Sequence, residues 1–105
     1  MKTYALVIAQ SAKDDLERLH SFAADIDPDM AEGTLKTIKS AFEILTRHPH
    51  TCRKVQSADL SNCALRELVI RFGNTGYLAL FEIVAEEFVL VLAVRHQRES
   101  DYRRD

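Results

Sequence analysis

The sequence predicts an α+β fold of order β-α-α-β-β-β: an antiparallel sheet with an α-helical hairpin across one face. Three observations predict it. Two apolar stripes at helical spacing occupy residues 11–47 and meet at Asp27-Pro28. Three runs rich in Val, Ile, Leu and Phe then follow, at residues 64–72, 77–84 and 88–94. Only the short stretches Gly73-Asn74-Thr75-Gly76 and Ala85-Glu86-Glu87 separate those runs, so they form a meander.

Each element has its own signal. Residues 3–9 (TYALVIA) read as a first strand that joins the sheet. Ser11 reads as the N-cap of helix one, over 11–24, with acidic residues filling the first turn. Ala12, Leu16, Leu19, Phe22 and Ala23 share its apolar face, and Lys13, Asp14, Glu17 and Arg18 the other. Asp27 caps helix two and Pro28 suits its first turn, where the missing N–H costs nothing. Ala31, Leu35, Ile38, Phe42 and Leu45 form its stripe, and His48-Pro49 stops it, because the residue before proline avoids the helical region.

Residues 49–63 show no period and read as a long polar loop. In the second strand, Arg66, Leu68, Ile70 and Phe72 share one face, and Leu65, Glu67, Val69 and Arg71 the other. The run 88–94 is apolar at every position, which places it inside the sheet. It stops at Arg95-His96-Gln97-Arg98, and a charged tail with Tyr102 follows.

At 105 residues the chain is expected to form one domain, 1–105. A net charge of −2 argues against a strongly basic nucleic-acid binder as a whole. The charge is uneven. Residues 1–46 carry five basic and eight acidic side chains, whereas 47–72 carry Arg47, Arg53, Lys54, Arg66 and Arg71 against Asp59 and Glu67. Such a local cationic surface suits an anionic partner. No apolar run is long enough to span a membrane and no secretory signal is visible, so a cytoplasmic protein with no membrane partner is expected.

Several chemistries are weighed on the residues. Metal-independent RNA cleavage needs a base, an acid and cations around the phosphorane. His96 is the candidate base or acid, Glu67 its partner, and Arg66, Arg71, Arg95 and Arg98 the phosphate clamps. The bland alternative is a set of solvated charges at strand ends with His96 as a polar cap. No catalytic residue is assigned; His96, Arg95 and Arg66 are the weak candidates. His48, His50, Cys52 and Cys63 are plausible zinc ligands by type, but their spacing lacks the tight Cys-x2-Cys pairing of structural sites, and no metal site is assigned. No Gly-rich phosphate loop occurs among Gly33, Gly73 and Gly76, and no cofactor is expected.

The element order, the pattern Ala12-x-x-Asp15-Leu16-x-x-Leu19, the His48-Pro49 stop, Leu65-Arg66-x-Leu68 and the ending Val94-x-His96-x-Arg98 resemble the RelE/ParE superfamily. The resemblance implies a bacterial type II toxin neutralised by a cognate antitoxin that wraps the helical hairpin and adds to the sheet. RelE-like members are ribosome-dependent mRNA endonucleases, and ParE-like members are associated with inhibition of DNA gyrase. In one RelE-like branch an arginine sits early in the third strand and a His-Tyr pair closes the chain. Here Leu78 holds the first position, and Gln97 and Arg98 fall near the second. The resemblance is therefore closer to the ParE-like branch. It implies a target-binding edge made of Arg66, Arg71, Arg95, His96, Arg98 and Tyr102, with gyrase as partner; the alternative partners are the ribosome and mRNA.

Overall fold

The structure is a computed structural model and describes residues 2–55 and 65–102. Its elements are β1 (Ala5–Ile8), α1 (Gln10–Ile26), α2 (Pro28–Arg47), a single 3-10 turn (Pro49–Thr51), β2 (Arg53–Lys54), β3 (Leu65–Phe72), β4 (Thr75–Val84) and β5 (Phe88–His96). The five strands form one sheet in the order β1-β5-β4-β3-β2, with both helices on one face. The α+β class, the helical hairpin and the meander are as expected. The sheet is mixed and not antiparallel throughout, because β1 runs parallel to β5 while the other pairs are antiparallel. The chain between the two parallel strands runs through the hairpin, β2, β3 and β4, far more than the dozen residues that a parallel pair requires.

β5 explains why its run does not alternate. Leu80 pairs with Ala93 and Phe81 with Val91, so Leu92 is an extra residue, a β-bulge. The bulge lets Val89, Val91 and Val94 all enter the core, where they meet Phe81 of β4 and Ile38, Phe42 and Leu45 of α2. The strand is interior, flanked by β1 and β4, and it runs through Arg95 and His96 instead of stopping before them.

β1 ends at Ile8, but β5 continues. Two side chains of α1 replace the missing strand: Ser11 Oγ donates to the Leu92 carbonyl at 2.6 Å, and Asp15 Oδ2 accepts from the Val94 N–H at 2.9 Å. This corrects two expectations for α1. The helix starts at Gln10, so Ser11 is no cap and no acid lies in the first turn. Asp15 is buried, while Phe22, expected on the apolar face, is 69 % exposed beside the buried Ala23. α2 follows its expected bounds, with Asp27 accepting from the Asp29 N–H at 3.0 Å.

In the expected loop, Arg53 and Lys54 form β2 beside Glu67 and Arg66; residues 56–64, including Cys63, lie outside the described residues. The β3–β4 turn is shorter than expected. Gly73, at φ +62°, and Asn74 make it, and Thr75 and Gly76 already belong to β4. A Cβ on Gly76 would meet the Ile70 carbonyl oxygen at 2.5 Å, so that position admits no side chain.

Candidate target-binding edge

The end of β5 and the segment after it form one hydrogen-bonded unit. The Gln97 N–H donates to the Gly76 carbonyl at 3.0 Å, and the Glu99 N–H to the His96 carbonyl at 2.9 Å, so the chain turns back on itself. Glu99 secures the turn. Its Oε1 accepts from the His96 N–H at 2.9 Å, its Oε2 from Arg18 Nη1 at 2.9 Å, and its carbonyl from Arg95 Nη1.

His96 is fully engaged. Its Nδ1 accepts from the Arg98 N–H at 3.1 Å, which requires an unprotonated Nδ1. The proton then sits on Nε2, 2.8 Å from Thr75 Oγ1. The ring stands edge-on to Tyr77, with centroids 5.2 Å apart. Burial pushes the imidazole below its ordinary value, Arg98 pushes the same way, and Glu99 opposes them. The geometry describes a neutral imidazole that closes the strand end.

Beyond the turn, the tail crosses the sheet face away from the helices. The Tyr102 hydroxyl donates to Glu67 Oε2 at 2.5 Å. Glu67 Oε1 accepts from Arg53 Nε at 3.0 Å and Nη2 at 2.5 Å. The Arg95 guanidinium lies 5.1 Å from the centre of the Tyr102 ring, a cation–π distance. Burial and the Glu67 carboxylate push the Tyr102 phenol upward, so it stays protonated and donating. The register sets Leu78 between Arg95 and Val69; it is 6 % exposed.

The structure therefore gathers five of the six expected binding residues at one end of the sheet. Arg95, His96 and Tyr102 are tied into the fold, and Arg71 and Arg98 are exposed. Arg66 is not among them. It pairs with Phe81, whereas His96 pairs with Tyr77, about 13 Å further along the sheet at ~3.3 Å per residue. Arg66 Nη1 instead donates to the carbonyls of His50 at 3.2 Å and Cys52 at 2.8 Å, pinning the segment into β2. Glu67 is no partner of His96, since it points to Arg53 and Tyr102. Its role as hub was hidden in the sequence, because the two side chains it joins lie 14 residues before it and 35 after it.

Among the described metal-ligand candidates, His50 Nε2 lies 2.8 Å from Glu86 Oε1, and Cys52 is half-buried, which pushes its thiol up. No group of three His, Cys, Asp or Glu side chains suited to a metal occurs among the described residues.

The helical hairpin packed on one face of a five-stranded mixed sheet defines a small two-layer α+β protein. Residues 6–101 match the family model for the ParE toxin of the type II toxin–antitoxin system parDE, and the chain belongs to that family. Among solved structures it is similar to the chromosomal ParDE toxin–antitoxin system from P. aeruginosa, at TM-score 0.71 and 16 % identity, covering 89 % of this chain and 95 % of that one. It is also similar to the toxin–antitoxin complex RelBE2 from Mycobacterium tuberculosis, at TM-score 0.59 and 25 % identity, covering 94 % and 97 %. No curated protein sequence matches it significantly. The chain is thus a type II toxin of the RelE/ParE superfamily, with the ParE family as its sequence affiliation.

Proposed function

We infer that this toxin acts by binding and inhibiting DNA gyrase, and that its cognate antitoxin holds it inactive. Residues 1–105 would work as one toxin domain in the cytoplasm; no helix among the described residues is long and apolar enough to cross a membrane. The observation that carries the reading is the state of His96. General acid–base catalysis needs a group free to take up or release a proton at the substrate. The partners expected around this imidazole are committed elsewhere: Glu67 binds Arg53 and Tyr102, Arg66 binds backbone carbonyls far along the sheet, and the ring itself meets Thr75 and the Arg98 backbone. The exposed Arg71 and Arg98 remain as contacts for an anionic surface, the role that steering by a local cationic patch requires.

In-cell DNA topology tests the reading. On expression of the chain without antitoxin, a reporter plasmid should lose negative supercoils before growth stops. Growth arrest with unchanged topoisomers would contradict it, and new 5′ ends in translated mRNA would point to the RelE-like alternative.

A further inference from the structure

We propose that β1 is a self-pairing edge, through which two copies of this chain join their sheets about a twofold axis at Val7. β1 is the outermost strand on its side of the sheet. The Ala5 N–H donates to the Glu87 carbonyl at 3.3 Å and the Ala9 N–H to the Val91 carbonyl at 2.9 Å, so the odd-numbered residues turn their backbone groups toward β5. Alternation points those of Leu6 and Ile8 the other way, out of the sheet. Tyr4 has the same sense, and the Thr46 carbonyl of α2 takes its N–H at 2.7 Å. Among the described residues, no backbone group bonds Leu6 or Ile8 on that side. Residues 56–64 are bracketed by β2 and β3, and 103–105 follow Tyr102, which is fixed to β3. Three to four strand spacings, about 14–19 Å, separate β3 and β2 from β1, and its outer side is one spacing further. Nine residues that leave one of those strands and return to the other reach about 17 Å at full extension, short of that edge.

The two edges of the sheet differ. β2 ends it with Arg53 and Lys54, charges of the kind that discourage strand addition. Ala5-Leu6-Val7-Ile8-Ala9 carries no charge and no proline, and Ala9, just past β1, is still extended at φ −64° and ψ 154°. The stretch also reads alike in both directions. With Val7 opposite the partner's Val7, Ala5 faces the partner's Ala9 and Leu6 the partner's Ile8. Leu6 and Ile8 then exchange N–H and C=O groups as an antiparallel hydrogen-bonded pair. Val7 falls at the non-hydrogen-bonded position, where side chains approach closest, and it is 44 % exposed. A twofold contact needs a patch that complements itself, and this one does so at every paired position. A foreign strand would gain the same backbone bonds, but the mirrored order selects a second copy. Thr46 at one end and the start of α1 at the other limit the ladder to these five residues, so the dimer is weak, with a Kd of about 10–100 µM.

Sedimentation velocity of the purified chain from about 5 to 500 µM tests this, with hydrogen exchange read at the Leu6 and Ile8 amides. The mass should rise from monomer to dimer across that range, and the two amides should slow about tenfold at its top. Val7→Lys sets two cations on the axis and should stay monomeric. Val69→Lys changes a valine of similar exposure, 46 %, near the other edge and should dimerise within about twofold of the parent. Circular dichroism checks that both variants are folded. A parent that stays monomeric throughout, a dimer whose Leu6 and Ile8 amides exchange as in the monomer, or a Val7→Lys chain that dimerises like the parent would each overturn the proposal. Protection of the two amides only on adding the purified product of the small reading frame adjacent to this gene would assign the edge to the antitoxin and also overturn it.

Discussion

Tyr102 and Glu67 meet at 2.5 Å, phenol to carboxylate, and the contact holds the chain's last described residue against the third strand. The same carboxylate takes a two-nitrogen bond from Arg53, so one acid fixes both the tail and the short edge strand. Tyr102→Phe should lower stability by about 1 kcal/mol in a urea titration, since a hydrogen bond to a charged group is lost while Glu67 keeps Arg53. Glu67→Ala should cost more, because Arg53 and Tyr102 both lose their partner. Equal midpoints for parent and both variants would show that the strap contributes nothing.

Asp15 gives a sharper structural test. Its carboxylate caps the N–H of Val94, whose side chain is fully buried. Asp15→Ala should cost about 2–3 kcal/mol, the penalty of leaving a buried donor unpaired. Ser11→Ala, at the more exposed Leu92 carbonyl, should cost less. Hydrogen exchange at the Val94 amide should accelerate selectively in Asp15→Ala.

The β4–β5 turn carries backbone strain. Ala85 and Glu86 sit at φ +53° and +55°, a region that L-residues avoid. Ala85→Gly should raise stability by roughly 0.5 kcal/mol, the relief of left-handed strain less the added freedom of the unfolded chain. Glu86 is a poorer site for change because its carboxylate holds His50. A lower thermal midpoint for Ala85→Gly would contradict the strain argument.

His96 predicts a pH dependence. Its pKa is lowered in the folded state, so below the ordinary imidazole value the unfolded chain binds more protons. Its contribution is fully present above a pH of about 6.5 and is lost as pH falls through the depressed folded value. Denaturant midpoints of the parent and His96→Gln at pH 7.5 and 5.5 isolate the effect: the parent should lose more stability on acidification than the variant. Equal losses would place the acid sensitivity elsewhere.

Much of the fold was legible because it rests on periodicity and punctuation. The stripe from Ala31 to Leu45, the Asp27-Pro28 start and the His48-Pro49 stop fixed α2, and alternation sorted β3 into Leu68 and Ile70 inside, Val69 and Arg71 outside. The parallel pairing of β1 with β5 was not legible, because direction depends on where the hairpin returns the chain. The bulge at Leu92 was hidden for a related reason: an all-apolar run fits either face at every position. At the candidate site, sequence proximity alone brought Arg95, His96 and Arg98 together. It gave no sign that Arg66 would bind carbonyls 14 and 16 residues earlier, away from that end of the sheet, or that Glu67 would bind Tyr102.

The most direct test of the central claim is a supercoiling assay in which purified gyrase acts on relaxed plasmid while the free chain is titrated in. The account predicts dose-dependent loss of supercoiling, weakened by the charge reversals Arg71→Glu and Arg98→Glu and relieved by antitoxin. Undiminished supercoiling at saturating amounts of folded toxin would contradict it.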